Sequence, residues 1–465
     1  MVDKAQLPEI NSLMDKVISL CKRRGFIFQS SEIYGGINSC YDYGPLGAEL
    51  KNNLKQAWHK AMVQKRGDVV GLDSSILMHP RIWEASGHLQ GFTDPLVDCK
   101  KCKKRFRADH LLELKGLKPD FRQTDFGKLN IKCPECGGSL TGVRDFNLMF
   151  KTYMGAVEDQ AAEIYLRPET AQGIYVNFEN VRTAANKKMP FGIAQIGKAF
   201  RNEITPGNFI FRTREFEQME MQYFVQPKEA EQWFGYWQKQ RLDWYVSLGL
   251  KKNNLKLRKH QSGELAHYAK AAVDIEYDFP FADKELEGIH NRGDFDLSRH
   301  QKYSGKTLEV LDDVTKTKYL PYIIETSGGV DRSVLAFLVD AYNEVEVRSG
   351  DTDGKHEKEV VLKLHQDLSP IKIAVLPLSK KAPLEKLGQE IYGALKENYM
   401  CAYDTTASIG KRYRRQDEIG TPYCLTVDFD SLEDNKVTVR DRDSMKQDRL
   451  ATAELPDYFR DKFKC

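Results

Sequence analysis

Hydrophobic and polar positions between residues 191 and 224 predict two long antiparallel strands, 191–203 and 212–224, joined by a loop. The loop carries Pro, Gly and Asn at 206–208, which favour turns. The return strand alternates, with Phe216, Gln218, Glu220 and Gln222 on one face and Glu217, Met219 and Met221 on the other. An ordinary antiparallel hairpin has one apolar face that packs on the core and one polar face exposed to solvent, but here neither face is cleanly apolar. The pattern therefore indicates a sheet that forms the floor of a polar site, and the alternative is a solvent-facing sheet with chance salt bridges.

Apolar residues at helical spacing predict two amphipathic helices before this hairpin, at 7–24 and 47–66, and a strand-like run at 71–78 follows them. After the hairpin, aromatic residues recur at helical spacing over 228–248. We expect that aromatic stripe to belong to the core rather than to a binding surface.

The periodicity changes beyond 349–369, a charged, turn-rich stretch that reads as a linker. Strands and helices then alternate, at 371–378, 383–398, 403–406, 409–419, 423–429 and 436–440. This alternation predicts a separate, mostly parallel α/β domain. Its second helix begins with a cluster of cations, which form either a solvated face or an RNA contact: Lys411, Arg412, Arg414 and Arg415.

Composition sets limits on the class of protein. A chain of 465 residues has room for two to four domains, and 41% hydrophobic and 29% charged residues are ordinary for a globular protein. A formal charge of +3 gives no global attraction to nucleic acid, so any such surface must be a local patch. The sequence has no long apolar run and no basic start followed by an apolar segment, which predicts a cytoplasmic protein that neither spans a membrane nor is secreted.

Two Cys-x-x-Cys pairs offer a candidate metal site: Cys99, Cys102, Cys133 and Cys136. Four thiolates can bind zinc tetrahedrally, and four protein ligands leave no open position, so the predicted role is structural. The stretch between the pairs exceeds the roughly 15–20 residues usual in zinc ribbons, which indicates an insertion module. The alternative is a set of reduced thiols on loops.

Several motifs resemble the class II aminoacyl-tRNA synthetases. Phe-Arg-Asn-Glu at 200–203, the loop, and Phe-Arg-Thr-Arg-Glu-Phe at 211–216 look like motif 2 of that family. The helix before residue 66, the strand after it and Pro80 resemble motif 1, and Gly-Gly-Val-Asp-Arg at 328–332 resembles motif 3. Phe-Glu-Gln-Met-Glu-Met-Gln-Tyr-Phe at 216–224 is similar to the glycine-specific members, as are Ile-Tyr-Gly-Gly at 33–36 and Ser-Gly-His-Leu-Gln-Gly-Phe at 86–92.

The resemblance implies an α/β (α+β) fold with an antiparallel sheet flanked by helices, a zinc-knuckle insertion and a C-terminal anticodon-binding domain. The implied domains are 1–98 with motif 1, 99–145 as the insertion, 146–348 with motifs 2 and 3, 349–369 as the linker and 370–465 for the anticodon. It also implies a homodimer that ligates glycine to tRNA through a glycyl-adenylate, with ATP, Mg²⁺ and structural zinc, and without an editing domain.

Site residues are carried over from the same resemblance. The residues expected to be catalytic are Arg201, Arg332 and Glu169. Those expected to bind ATP are Arg201, Asn202, Glu203, Phe211, Arg212, Phe216, Glu285, Leu286, Gly329 and Arg332. Those expected to bind glycine are Arg107, Glu169, Phe216, Glu220, Glu325, Ser327 and Gly329. The expected ligands of magnesium are Glu285 and Glu325.

Two alternatives stay open at this point. One is a class II synthetase for another amino acid, since motifs 1 to 3 fit several. The other is a synthetase-like binding protein that has lost catalysis, although such a relative should have lost Arg201, Glu203 or Arg332, which are all present.

Overall fold

A seven-stranded sheet forms the centre of the computed structural model, which describes residues 7–117, 126–156, 158–159, 162–205, 207–261, 263–266, 268–282, 284–312, 314–346 and 358–463. From one edge to the other the strands are Leu255–Lys259, Ala271–Tyr277, Glu285–Gly293, Tyr322–Gly329, Glu215–Val225, Phe191–Phe200 and Val69–Gly71. Neighbours are antiparallel except at the last edge, where Val69–Gly71 pairs in parallel with Phe191–Phe200. Below, Glu215–Val225 is the return strand and Tyr322–Gly329 the glycine-rich strand.

The predicted hairpin is present, but its strands are shorter than the sequence indicated. The outgoing strand stops at Phe200 and the return strand starts at Glu215. Between them the chain makes an isolated bridge from Gly207 to Arg212, and Pro206 lies outside the described residues. Polar groups at 201–203 and 212–214 therefore lie outside the strand ladder, and four of them line a cavity: Arg201, Glu203, Arg212 and Thr213.

Helices cover both faces of the sheet. One face packs its apolar side chains against Leu7–Arg24, Pro45–His59, Ala230–Ser247 and Val330–Ala341. The other face packs against Ala171–Val176, Phe178–Ala184 and Phe295–Ser304. The return strand alternates between these layers, with Met219 and Met221 in the first core and Phe224 in the second.

Several predicted boundaries in this domain were wrong. The second helix runs from Pro45 to His59 and continues as a π-helix over Lys60–Gln64, and the strand expected at 71–78 is only Val69–Gly71. For residues 170–178 the resemblance to the class II scaffold implies a strand and a loop, and this expectation was wrong. The segment instead enters the helices Ala171–Val176 and Phe178–Ala184, because its apolar residues recur at helical spacing and are buried: Ala171, Ile174, Tyr175 and Phe178.

The aromatic helix Ala230–Ser247 is part of the core, as predicted: Phe234, Trp237, Trp244 and Tyr245 are buried. It also carries Arg241, whose guanidinium is fully buried and pairs with Glu287 of the adjacent sheet at 2.6 Å.

The insertion is a small unit with its own core and a three-stranded sheet, Arg105–Arg107, Thr93–Asp98 and Arg144–Asn147. One short helix, Ala108–Glu113, packs on it. Two other short α-helices are Arg81–Ser86 and His88–Gly91. Other paired strands are Ile27–Gln29 with Tyr41–Tyr43, Lys151–Tyr153 with Glu163–Tyr165, and Val310–Leu311 with Lys318–Tyr319.

The C-terminal domain has a five-stranded sheet in the order Cys401–Tyr403, Ile373–Pro377, Tyr423–Val427, Lys436–Asp441 and Gln447–Ala451. Its helices are Ala382–Leu395, Ile409–Ile419, Ser431–Asp434 and Leu455–Lys462. The first two pairings are parallel and the last two antiparallel, so the expectation of a mostly parallel sheet was wrong. The sequence reading also missed the last strand and the last helix.

Within the predicted linker, 349–369, residues 358–362 form a strand that pairs with Tyr342–Glu346. Residues 347–357 lie outside the described residues. Within the part of the chain that the structure describes, every helix is too short or too polar to cross a membrane.

Two cations of the basic cluster support the C-terminal domain itself. Arg412 is buried and donates to the carbonyl oxygens of Pro377, Leu378 and Asp404, at the ends of two parallel strands. Arg415 pairs with the Asp404 carboxylate at 2.7 Å. These two side chains therefore fit an internal role better than an RNA contact.

Candidate active site

A cavity of about 350 Å³ lies over the hairpin and the two strands beside it. Its volume is within the range of small-molecule sites, roughly 300–1,000 Å³. It brings together all but two of the residues expected to bind ATP or glycine: Glu169, Arg201, Glu203, Phe211, Arg212, Phe216, Glu220, Glu285, Leu286, Glu325, Ser327, Gly329 and Arg332.

The two exceptions are Asn202 and Arg107, which are not among the residues that line the cavity. The Asn202 backbone N–H donates to the Leu148 carbonyl at 2.7 Å. The Arg107 guanidinium pairs with Asp94 at 3.0 Å and with Asp109 at 2.7 Å, so its charge is already balanced within the insertion.

Arginines and aromatic rings form one end of the cavity. The Arg201 guanidinium lies 5.3 Å from the ring centroids of both Phe92 and Phe216, and its Nε donates to the Pro168 carbonyl at 3.0 Å. These contacts hold Arg201 by one edge, and a guanidinium has further donors for the oxygens of a ligand.

Arg332 is held in the same manner. Its guanidinium lies 4.3 Å from the centroid of the Phe211 ring, its Nε donates to the Phe211 carbonyl at 3.1 Å, and its Nη1 lies 3.2 Å from Glu285 Oε2. Planar cations above ring faces suit phosphate oxygens and a nucleobase.

Carboxylates form the other end. Glu325 is buried and accepts hydrogen bonds from His290 at 2.8 Å, Gln222 at 2.9 Å and Arg292 at 3.0 Å. Burial by itself would raise the pKa of Glu325, but Arg292 and His290 outweigh it and lower that pKa to about 2. Glu325 is therefore ionised.

Glu220 and Glu169 face the same space with opposite tendencies. Burial, and then the charges of Glu325 and Glu169, raise the pKa of Glu220 well above its ordinary value. For Glu169 burial is outweighed by His88 and Arg292, and its pKa is lowered. Glu220 consequently keeps its proton more readily than either neighbour does, and a cation entering this end would favour its ionised form.

Sequence reasoning missed several residues of this acidic end. Arg292 is 3% exposed and pairs with Asp296 at 2.7 Å, with the Tyr268 ring 3.7 Å from its guanidinium carbon. The one sequence feature that could have indicated this pair is an arginine in a predicted buried strand, four residues before an aspartate. His88, whose Nε2 lies 3.5 Å from Glu169 Oε2, gave no local signal, because the two segments meet only in the folded chain.

The four cysteines of the insertion meet at one point. Their sulfur atoms all lie within 4.8 Å of one another, with Cys99 3.5 Å from Cys136 and Cys102 3.6 Å from Cys133. Tetrahedral Zn–S bonds of about 2.3 Å require sulfur separations of about 3.8 Å, which this cluster approaches. A Cβ at Gly138 would come within 3.1 Å of Cys99 Sγ, so the knuckle needs glycine there.

The Cys99 sulfur is poised to be a ligand. The Cys102 backbone N–H donates to it at 3.4 Å and, as the largest influence, lowers the pKa of Cys99 to about 6. Thiolates are the form that binds metal, so Cys99 is suited to be a ligand, and the convergence of the four sulfurs is what allows the cluster to hold a metal ion.

Two family models match the chain. Residues 150–342 match the "tRNA synthetase class II core domain (G, H, P, S and T)", and residues 372–462 match the "Anticodon binding domain". These matches confirm the predicted fold class, a class II core followed by an anticodon-binding domain.

Curated relatives match over nearly the whole length. The chain is 58% identical to the glycine–tRNA ligase of Treponema denticola over 95% of both chains, and 55% identical to that of Geobacillus kaustophilus over 97% of this chain and 98% of the other. Among solved structures, a prolyl-tRNA synthetase from Cryptosporidium parvum, 15% identical, superposes with a TM-score of 0.63 over 98% of this chain and 78% of that one. That likeness concerns the fold alone.

Proposed function

The chain belongs to the glycine–tRNA ligase family of the class II aminoacyl-tRNA synthetases, and we propose that its central cavity activates glycine with ATP and transfers it to tRNA. The observation that carries the proposal is one cavity with arginines and rings at one end and buried carboxylates at the other.

In the first step, the glycine carboxylate attacks the α-phosphorus of ATP, the bond to the β-phosphate oxygen breaks, and pyrophosphate leaves. The substrate brings its own nucleophile, so the protein contributes orientation and charge stabilisation. Arg201 would hold the α-phosphate and the charge that develops there. Glu203 and the Phe216 ring would hold adenine, with Arg332 on its other side.

The acidic end would receive the glycine amine. Glu169, Glu220 and Ser327 line that end, and Glu325 holds His290 and Arg292 beside it. A cavity with little room beyond the α-carbon excludes larger amino acids by overlap, which accounts for an enzyme that needs no editing.

Magnesium would neutralise the outer phosphates of ATP, as it does for the class. Of the two acids expected to hold it, Glu285 fits, since its carboxylate is exposed to the cavity beside Arg332. Glu325 fits poorly, because both its oxygens already accept hydrogen bonds from His290, Gln222 and Arg292. We therefore propose Glu285 alone as a magnesium ligand.

In the second step, the glycyl group passes to the terminal ribose hydroxyl of tRNA and AMP leaves. The C-terminal domain would bind the anticodon, as its family match supports. We further propose that the four-cysteine cluster binds structural zinc, that the enzyme is a homodimer through its motif 1 region, and that it acts in the cytoplasm.

The purified chain should catalyse exchange of pyrophosphate into ATP only when glycine is present. Alanine, serine, proline and threonine, tested at the same concentration, are the controls for amino-acid identity. Exchange with one of them but not with glycine would overturn the assignment, and the absence of exchange with any would favour a binding protein without catalysis.

Glycine binding should release a proton. In the free cavity Glu220 holds its proton above the ordinary glutamate pKa of 4.5 because it is buried beside two carboxylates. An ammonium group would favour the ionised form, so from that pH up to the raised pKa the affinity for glycine should increase with pH. Calorimetry in buffers of different ionisation enthalpy measures the released proton directly.

Glu220→Gln should lose the proton release and most of the affinity, whereas Glu179→Gln, the same change at an acid paired with Arg182 away from the cavity, should keep both. Heats that do not vary with the buffer would contradict this account of the acidic end.

A further inference from the structure

Five polar side chains meet where the return strand leaves the glycine-rich strand, and we call them the hairpin clamp: Tyr43, Lys51, Lys55, Glu217 and Asp331. Lys55 Nζ contacts only Glu217, at 3.2 Å from Oε1. Lys51 Nζ lies 2.8 Å from Glu217 Oε2 and 2.9 Å from Asp331 Oδ1. The Tyr43 hydroxyl donates to the same Asp331 oxygen at 2.6 Å. The side chains of Lys51, Glu217 and Asp331 are only 13%, 15% and 9% exposed, so the cluster is largely shielded from water.

The clamp lies beyond the end of a strand ladder. Pairing between the return strand and the glycine-rich strand stops at Gln218 and Gly329. One residue further, the Glu217 backbone N–H donates to Asp331 Oδ2 at 2.8 Å. The Asp331 side chain therefore supplies the connection that the ladder no longer makes.

Both clamp acids lie at the rim of the cavity and line it themselves. Phe216 precedes Glu217 and Arg332 follows Asp331, and both of these neighbours line the cavity as well. Phe216 also lies against the Arg201 guanidinium. Because backbone position is shared between adjacent residues, the separation of Phe216 and Arg332 depends on the bond between Glu217 and Asp331.

Stability is a weak explanation for these charges. Taking charged groups out of water costs about as much free energy as their mutual attraction returns, and apolar residues of similar volume often serve equally well. What the ionic cluster adds is a fixed geometry, since Lys51 contacts both carboxylates at once and Asp331 accepts from three donors.

We propose that the hairpin clamp is a positioning device for the nucleotide, which sets the spacing of Phe216 and Arg332 through Glu217 and Asp331, with Lys51 as its central cation. The inference rests on the proposed function, in which those two groups lie on either side of adenine. It gives the strand Tyr41–Tyr43 and the helix Pro45–His59, far from the cavity motifs in sequence, a role in ATP binding.

The test compares Lys51→Met, which keeps the aliphatic stem and removes the charge, with the wild-type chain in glycine-dependent pyrophosphate exchange. KM for ATP should rise about tenfold or more, because Phe216 and Arg332 would be misplaced, and misplacement of a group by an ångström can cost about 10²-fold in rate. KM for glycine should stay within about twofold. Lys51→Arg should recover most of the loss. Lys16→Met, which removes an exposed pair with Glu344, is the matched control and should behave as wild type.

A purely structural role predicts a different result, namely lower kcat in proportion to the folded fraction with KM for ATP unchanged, and that result would overturn the clamp. Calorimetric titration of ATP into the same variants without glycine tests nucleotide positioning separately from the reaction. If the wild-type chain binds ATP but exchanges no pyrophosphate, the proposed function fails, while a weaker ATP affinity of Lys51→Met would still support the clamp.

Discussion

Arg201→Ala should reduce glycine-dependent adenylate formation by about 10³-fold or more, the range seen when a guanidinium that stabilises a phosphoryl-transfer transition state is removed. Arg201 is placed between Phe92 and Phe216 and anchored by its Nε to Pro168, so its remaining donors have a fixed direction. Alanine removes the positive charge and both ring contacts without adding a group to the cavity. Single-turnover formation of glycyl-adenylate is the appropriate measurement, because it isolates the first step.

Binding of tRNA to the Arg201→Ala variant should stay near the wild-type value, since the C-terminal sheet has its own hydrophobic core and Arg201 is not part of it. Arg182→Ala removes an arginine from a surface pair with Glu179 and should leave both measurements unchanged. Loss of adenylate formation together with loss of tRNA binding would mean that the variant is misfolded or that the residue is wrongly assigned.

Removal of zinc should unfold the insertion while the central sheet remains intact. The purified protein should contain about one zinc ion per chain, as expected for four thiolate ligands. Chelation should then increase hydrogen exchange in residues 93–117 and 126–147, because the small core of the insertion includes the cysteines themselves. Exchange in the return strand should change little, since that strand is buried between two helical layers.

Cys102→Ser should reproduce the effect of chelation, whereas Cys401→Ser, a change at another half-buried cysteine outside the cluster, should not. A protein that contains no metal as purified, and whose insertion is equally protected with and without chelator, would show that the cysteines are reduced thiols. The two variants separate the loss of a ligand from the loss of any thiol.

Alternation in one strand explains how much of the cavity could be predicted. Phe216 and Glu220 share a face because strand residues two and four apart must do so, and that inference needs no tertiary information. Arg332 and Gly329 came from the resemblance to motif 3, and the structure brings them beside the hairpin through the pairing of Gln218 with Gly329.

The errors arose where tertiary contacts decide. The family resemblance implied a strand and a loop at 170–178, but the apolar residues of this segment pack as helices against a core on the second face of the sheet. Arg412 sits in a basic run, yet it is buried against backbone carbonyls at strand ends. The sequence shows that a cation is present. Only the packing of the folded chain decides whether that cation is exposed to a binding partner or buried within the protein.

The alternation of the return strand also constrains how this gene can change over time. Phe216, Gln218 and Glu220 face the cavity, and Met219 and Met221 face the hydrophobic core. Loss or gain of a single codon within the strand would exchange the two sets of side chains, so that Glu220 would point into the hydrophobic core and a methionine would point into the cavity. Length variation among descendants of this chain should therefore be confined to the connecting loop and to the peripheral modules.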